Sequence, residues 1–451
     1  MTNIRLGGVL AAFIAAPAFA QVDPIRATLA EAVKEVSSAR IEATVRKLCD
    51  FGTRHPLSRT DSDTEGTGAA RKWLKDAYDE IAKTSGGRMS VALQTAKVPC
   101  MRPGMPREIE VVNVIATLRG SSDAERVYVV GGHYDSRNGK GEDAVNQAPG
   151  AVDDASGTAV AMEVCRVLAT REFAATIVFV AYDGEEQGLL GSKAHAAQMA
   201  ADDVMIDGMI TCDIVGNTLG MDGRRYTDFV RTFRYSRTGN DSMGRSLARA
   251  VSRAAREYVQ DFRVKLIYRG DRYGRGGDHR SFFDQGWPAV RMTEPREDFS
   301  RQHQNVRPKD GKPYGDLPDY ADFGYSAKVA RVVVAALGEL ASAPQPPLVT
   351  GARLARDAYD TEINFRLPQG VTRYEFVWRE TTEADWTNVV PMDEVKLSRG
   401  RRGTAVARLT DVCLDDVVVG VRTISASGAR SRVATPPEPD RFAQRPTTKK
   451  K

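Results

Sequence analysis

The chain has 451 residues, 42% hydrophobic and 27% charged, with a formal charge of +5, which excludes a disordered or collagen-like chain and implies more than one core. Most of the charge lies at the two ends, and residues 21–435 carry only about +1, so no nucleic-acid footprint is present.

Residues 1–20 read as a secretory signal peptide. Arg5 supplies the positive region, residues 9–16 the apolar run, and Ala18-Phe19-Ala20 the small-x-small cleavage site. The run is too short to span a bilayer. The expectation is an exported protein, periplasmic or secreted, with no membrane span. Export permits disulfides, but the five cysteines leave at least one unpaired. Cys165 and Cys212 read as buried thiols, and Cys413 has no obvious partner. Cys49 and Cys100, at the ends of elements, stand either as a disulfide or as two separate thiols.

Asp23-Pro24 reads as a helix start, with Asp as cap and Pro in the first turn. Ile25, Leu29, Val33 and Val36 keep one apolar face, and a second phase runs through Ile41, Val45 and Leu48 after Ser37-Ser38. A loop over 52–64 leads to a helix near 67–83. Strand-like runs follow at 91–98, 109–118, 127–130 and 177–181, with a helix-like run at 157–168 before the last of them. Next come a strand near 209–214, an amphipathic helix over 242–259, a short strand at 289–292 and a long helix over 325–341. This alternation predicts an α/β domain with a mixed, largely parallel sheet flanked by helices. Residues 343–347 form a Pro-rich linker, and beyond it helix patterns vanish. Short alternating runs at 361–367, 374–379, 404–409 and 417–424 predict an all-β sandwich similar to a fibronectin type III or immunoglobulin-like module. The domain reading is thus a signal peptide (1–20), an α/β domain (21–343, N-terminal helices 24–50 included), a β-sandwich (344–435) and a disordered basic tail (436–451).

Three polar segments follow strand-like runs or open a helix: Gly131-Gly132-His133-Tyr134-Asp135-Ser136, Gly150-Ala151-Val152-Asp153-Asp154-Ala155-Ser156-Gly157, and Asp183-Gly184-Glu185-Glu186. Such residues at strand ends are what a site at the C-terminal edge of an α/β sheet requires. Mixed oxygen and nitrogen donors suit zinc. His133 and Asp135, two apart, face the same way on a strand, so the carboxylate can hold the second imidazole nitrogen while the first binds metal. A buried His–Asp pair of no catalytic meaning fits equally well, as do helix-capping carboxylates at Asp153-Asp154. Glu185-Glu186 is the most informative pair: in a metal site one carboxylate binds the ion and its neighbour takes a proton from bound water. Asp213 ends its strand in the same manner, and His303 lies in a polar loop. Of the other histidines, His55 and His195 read as structural, and His279 as close to the site without being a ligand.

In this order the segments, with Asp278-His279-x-Ser281-Phe282 and a late histidine, resemble the secreted dizinc aminopeptidases. That superfamily also includes glutamate carboxypeptidase II, glutaminyl cyclase and the transferrin receptor. The resemblance covers roughly Cys49 to Ala341. It implies two zinc ions per chain, Asp153 bridging, with His133 and Asp213 completing one site and Glu186 and His303 the other. It implies Glu185 as general base, Asp135 as the partner that orients His133, and peptides with a free N-terminus as substrates. Family members often place a Tyr near the Asp-His pair to steady the oxyanion; Gln302 precedes His303 here, which leaves Tyr273 as the candidate. Arg269, Arg272 and Arg275 crowd the same segment and read as surface charge. A one-zinc glutaminyl cyclase is the enzymatic alternative, disfavoured by Asp154 and the uninterrupted run 187–192. A metal-free binding protein is the third reading, disfavoured by the complete ligand set.

Overall fold

The computed structural model describes residues 23–236, 241–356 and 358–437. The expected signal peptide (1–20) and nearly all of the expected disordered basic tail (436–451) lie outside the described residues. The first two helices are α1 (Pro24–Lys34) and α2 (Ser38–Asp50). They break where the apolar phase shifts, at Ser37, whose hydroxyl caps α2 by accepting from Arg40 N. Asp23 occupies the cap position of α1 but makes no side-chain capping bond, a departure from expectation. After α3 (Gly66–Ala82) come β1 (Met89–Pro99), β2 (Glu108–Leu118) and β3 (Asp123–His133). The chain continues through α4 (Ser156–Ala169), β4 (Ala175–Tyr182), α5 (Leu190–Ala201), β5 (Met205–Cys212) and β6 (Phe229–Phe233). It then forms α6 (Met243–Tyr258), β7 (Arg263–Ile267), α7 (His279–Asp284), β8 (Ala289–Thr293), the hairpin β9 (Arg307–Lys309) and β10 (Lys312–Tyr314), and α8 (Phe323–Ser342).

These strands build an eight-stranded sheet in the order β1-β2-β4-β3-β5-β8-β6-β7. The central β4, β3, β5 and β8 run parallel, and antiparallel pairings occur only toward the flanks. Alternation with period two buries both faces. Tyr128 and Val130 of β3 and Ile177, Phe179 and Ala181 of β4 pack with α4, α6 and α8. Val127 and Val129 with Val178, Val180 and Tyr182 pack on the other side with Phe282 of α7 and Ala196 of α5. The adjacent C-terminal ends of β4, β3 and β5 deliver Glu185-Glu186, His133 and Asp213 to one edge of the sheet.

Beyond α8, two antiparallel sheets stack. One holds β11 (Leu348–Leu354) and β12 (Thr361–Arg366) with β15 (Lys396–Arg399) and β16 (Ala405–Leu409); the other holds β13 (Tyr374–Glu380), β14 (Asn388–Pro391) and β17 (Val417–Thr423). Ile363, Phe365 and Leu409 meet Phe376, Val419 and Val421 in the core between them. The sandwich docks on the α/β part largely through ion pairs: Arg379 with Asp241, Arg432 with Asp207 at 2.9 Å, and Arg430 with Glu339 at 2.9 Å.

All five cysteines are free thiols. Cys49 packs at the end of α2, where burial pushes its thiol up to about 12. Cys100 lies in a separate cluster with Ile109, Val111 and Leu190, its Sγ 3.6 Å from Gln187 O. The disulfide reading therefore fails, because the two residues belong to different packing clusters.

Candidate metal centre

Close backbone approach explains the glycines of the central segment. A Cβ on Gly157 would lie 1.9 Å from Cys212 O, and one on Gly132 would lie 2.5 Å from the Gly157 carbonyl carbon. The first turn of α4 thus sits directly on β3 and β5. Asp154, fully buried, exploits that contact. Its Oδ1 accepts from Gly157 N (2.9 Å) and Ile214 N (3.0 Å), and its Oδ2 from His133 N (3.1 Å). Asp154 is therefore the helix-capping carboxylate of the pair, and Asp153 is the one turned into the site.

Asp153 faces two groups at once. Its Oδ1 is 3.2 Å from His133 Nε2, and its Oδ2 is 2.9 Å from His303 Nε2. On the first side, His133 Nε2 lies 3.8 Å from Asp213 Oδ1 and 3.9 Å from Glu185 Oε2. On the second, His303 Nε2 lies 2.6 Å from Glu186 Oε1. Among the described residues, two sets have geometry able to hold a cation: His133, Glu185 and Asp213, and Asp153, Glu186 and His303. His133 Nε2, His303 Nε2 and Glu186 Oε1 are buried and make no hydrogen bond. Lone pairs converging at such distances without hydrogen bonds suit a divalent cation, and the His, Asp and Glu donors are those of zinc.

Asp135 holds both sides in place. Its Oδ1 is 3.3 Å from His133 Nδ1, and its main-chain oxygen is 3.1 Å from the same nitrogen. Its carboxylate also accepts from Glu185 N (3.0 Å) and Glu186 N (3.1 Å). Electrostatics follow from this crowding. Burial pushes the Glu185 carboxyl well above its ordinary value, opposed by His133 and reinforced by Asp213. Burial works against protonated His303, but Glu186 and Asp153 outweigh it and raise the imidazole to about 9. Burial likewise acts to raise Asp153, yet the adjacent His133 and His303 imidazoles hold it well below the carboxylate range.

Several supporting residues had no motif to announce them. Arg54, fully buried, donates to Tyr134 O (2.5 Å), Pro149 O (2.6 Å), Leu48 O (2.9 Å) and Gly150 O (3.0 Å). It thereby ties the 52–64 loop to the turn before Asp153. Asp316 accepts from Val152 N (2.9 Å) and Asp153 N (2.8 Å). Gln302 donates to Asp153 Oδ2 at 2.8 Å. Arg291, buried on β8, lies 2.7 Å from Asp213 Oδ1 and 3.2 Å from Asp271 Oδ2. In sequence each was one polar residue among many.

Tyr273 is not brought into the cluster. It is 89% exposed, its ring beneath the Arg269 guanidinium at 5.3 Å. Asp271 is drawn inward by Arg291, while Arg272 and Arg275 bind Glu297 at 3.1 and 2.5 Å, which turns residue 273 to solvent. Arg272 and Arg275 are thus ion-paired residues of the loop and not the free surface charges expected. His279 stacks on Tyr235 and bonds Gly270 O at 2.9 Å, away from the ligand groups. His55 and His195 are buried, bonded to Gly141 O and the Tyr182 hydroxyl, in keeping with structural roles.

A sequence profile described as Peptidase family M28 matches residues 113–316, which contain His133, Asp135, Asp153, Glu185, Glu186, Asp213 and His303. A Phaeosphaeria nodorum protein named "Probable zinc metalloprotease" is 39% identical over 435 residues, spanning 90% of this chain and 86% of its own. The chain belongs to peptidase family M28. A Leptosphaeria maculans relative, also named a probable zinc metalloprotease, is 40% identical to this M28 chain and spans 90% of it and 95% of itself. Among solved structures, the LapA aminopeptidase of Legionella pneumophila superposes with a TM-score of 0.54 at 21% identity, covering 70% of this chain and 75% of its own. The glutaminyl cyclase of Porphyromonas gingivalis superposes with 0.50 at 18% identity, covering 68% and 99%. Identities this low speak to a shared fold alone.

Proposed function

We propose that this M28 chain is an exported zinc aminopeptidase of the two-ion type. The carrying observation is that Asp153 presents one oxygen to each of two donor groups, toward His133 and toward His303. His133 and Asp213 would hold one ion, Glu186 and His303 the other, with Asp153 shared between them. Zinc, when bound, supplies Lewis-acid polarisation of a peptide carbonyl and eases deprotonation of water. Glu185 is the residue left for proton transfer. Its carboxylate lies beside the His133 group, and its main chain is fixed by Asp135. It takes the proton of the attacking water and returns it to the leaving amine. Asp135 fixes the His133 ring through Nδ1, so Nε2 stays turned inward.

The names of the M28 relatives support zinc and proteolysis, and the motif order supports exopeptidase action on peptides with a free N-terminus. Export rests on residues 1–20. The test is metal content of the purified mature protein together with hydrolysis of a panel of aminoacyl reporters, with and without a zinc chelator. Two equivalents of zinc and chelator-sensitive release of N-terminal residues support the reading. One equivalent with cyclisation of N-terminal glutamine instead would identify a glutaminyl cyclase, and an inactive metal-free protein a binding module.

A further inference from the structure

Two arginines flank Glu186 and are held very differently. Arg102, between β1 and β2, donates to the Glu186 main-chain oxygen and packs on Gly141, where a Cβ would lie 2.4 Å from its Nη2. Arg137, two residues after Asp135, has its Nε 3.7 Å from Glu186 Oε2, beyond hydrogen-bond range. That Nε is buried and makes no hydrogen bond, and Glu186 is the one ionic partner of the side chain among the described residues. The side chain is nevertheless 15% exposed, so it is closed on the protein side and open on the other. Its segment packs on the loop of His303. Gly139 N donates to Asn305 Oδ1 at 3.0 Å, and a Cβ on Gly139 would lie 3.6 Å from His303 O. Arg137 therefore stands on the Glu186–His303 side of the centre.

A guanidinium whose task is to support a ligand carboxylate is bonded to it, as Arg291 is to Asp213 at 2.7 Å. Arg137 is not, and a cation held by Glu186 would take up much of that carboxylate's charge. Donors left dry without an acceptor are costly. The planar arginine fork matches a carboxylate through two parallel bonds. In a dipeptide the α-carboxylate lies one residue beyond the scissile carbonyl, roughly 3.5 Å along an extended chain. That reach is comparable to the 3.7 Å between Arg137 and the Glu186 oxygen.

We infer that Arg137 is a specificity-determining residue that binds a substrate carboxylate next to the scissile bond, the α-carboxylate of a dipeptide. The inference rests on the aminopeptidase reading and narrows its substrate class to peptides that carry such a carboxylate.

The test is kcat and KM of the zinc-loaded, full-length protein on leucyl-glycine and leucyl-glycinamide, which differ in that carboxylate. The parent is expected to favour the acid at least tenfold in kcat/KM, chiefly through KM, which is what a hydrogen bond to a charged group contributes. Arg137→Gln is expected to abolish the preference with zinc per chain at the parent value. Arg137→Lys, which keeps the charge and loses the fork, is expected to restore it in part. Arg102→Gln is expected to leave the ratio of the two substrates at its parent value, because Arg102 is engaged with the main chain. Leucyl-aspartic α-amide and glutamyl-glycinamide distinguish a side-chain carboxylate, after or before the scissile bond, from the α-carboxylate. Titration with uncleavable reduced-bond analogues of the acid and the amide needs no turnover. A protein that binds the acid analogue through Arg137 yet cleaves no peptide keeps the carboxylate site and refutes the aminopeptidase reading. The inference is overturned if the parent does not distinguish any of the acids from the amide, or if Arg137→Gln keeps the parent ratio. It is equally overturned if Arg137→Gln loses zinc and both substrates decline together, which would make Arg137 a support of Glu186, or if Arg102→Gln lowers the ratio as far as Arg137→Gln.

Discussion

The sharpest perturbation separates Glu185 from Glu186, neighbours of the same chemistry that the fold turns toward different groups. Glu186 Oε1 lies 2.6 Å from His303 Nε2, whereas Glu185 Oε2 is 3.9 Å from His133 Nε2, and the Glu185 side chain is 12% exposed. Glu185→Gln keeps shape and the main-chain contact to Asp135 while removing the proton acceptor. Proton transfer by a positioned side chain is worth about 10²–10⁴ in rate, or roughly 2.7–5.5 kcal/mol of barrier. The structure offers no substitute, since the nearby carboxylates of Asp153, Glu186 and Asp213 are engaged with histidines or with Arg291. The full range is therefore expected in kcat, with KM nearly unchanged, because the lost interaction belongs to the transition state. Metal content should stay at the parent value. Glu186→Gln should instead lose or weaken one ion, with partial recovery in excess zinc, and Asp153→Asn should be worse than either. The assay is zinc per chain by elemental analysis beside steady-state turnover. If Glu185→Gln loses a metal while Glu186→Gln keeps both, Glu185 is the third donor of the His133–Asp213 group and the proposed division of labour is wrong.

Arg54→Met removes donors from four buried carbonyls. At about 1 kcal/mol or more for each group left unpaired, several kcal/mol of stability should be lost in urea unfolding, and a loss below 1 kcal/mol would refute the role. For the metal-free protein, burial raises Asp183, Asp278 and Asp316 each to about 7, and His303 is raised to about 9. All four bind protons more tightly folded than unfolded, so stability is present at low pH and lost as pH rises, from about 4 to 7 for the acids and about 6.5 to 9 for His303. The melting temperature after chelation should fall between pH 5 and 8, and a rise would contradict the assignment. A chain ending at residue 345 should keep zinc and small-peptide turnover. Asp207, Glu339 and Asp241 each retain a partner, Arg126, Arg253 and Arg249, when the sandwich is gone; zinc binding without turnover would show that the sandwich belongs to the site.

The sheet was legible wherever both faces are apolar. The runs at 127–130 and 177–181 are continuous because helices cover both sides, and the observed strands extend them by a few residues. β6 and β7 were missed because they read as mixed, charged segments: Arg231, Arg263 and Lys265 alternate with the apolar residues at the sheet edge. His133, Asp153, Glu185 and Glu186 were legible for a different reason. Glycines must precede or follow them, so their spacing survives as a pattern. Tyr273 failed as a reading because proximity in sequence to Asp278-His279 says nothing about which way a loop turns. That direction is set by Asp271 reaching Arg291, a contact between residues twenty apart whose significance appears only when β8 lies beside β5.

The residues that position the candidate ligands are themselves carboxylates, and they act on the main chain. Asp154 receives N–H groups of His133, Gly157 and Ile214; Asp135 those of Glu185 and Glu186; Asp316 those of Val152 and Asp153. Every ligand-bearing segment but one is thereby fixed by buried hydrogen bonds that do not depend on a cation. Such bonds are strong where they are dry and charge-assisted. The exception is His303, which lies in a loop at φ 54° with its side chain 27% exposed. The fold therefore presents His133, Asp153, Glu186 and Asp213 on segments pinned by these bonds and completes the set with one imidazole carried on a loop. Ordering by metal should then be concentrated in residues 298–306, where protection from amide exchange should rise on zinc binding while β3, β4 and β5 stay unchanged.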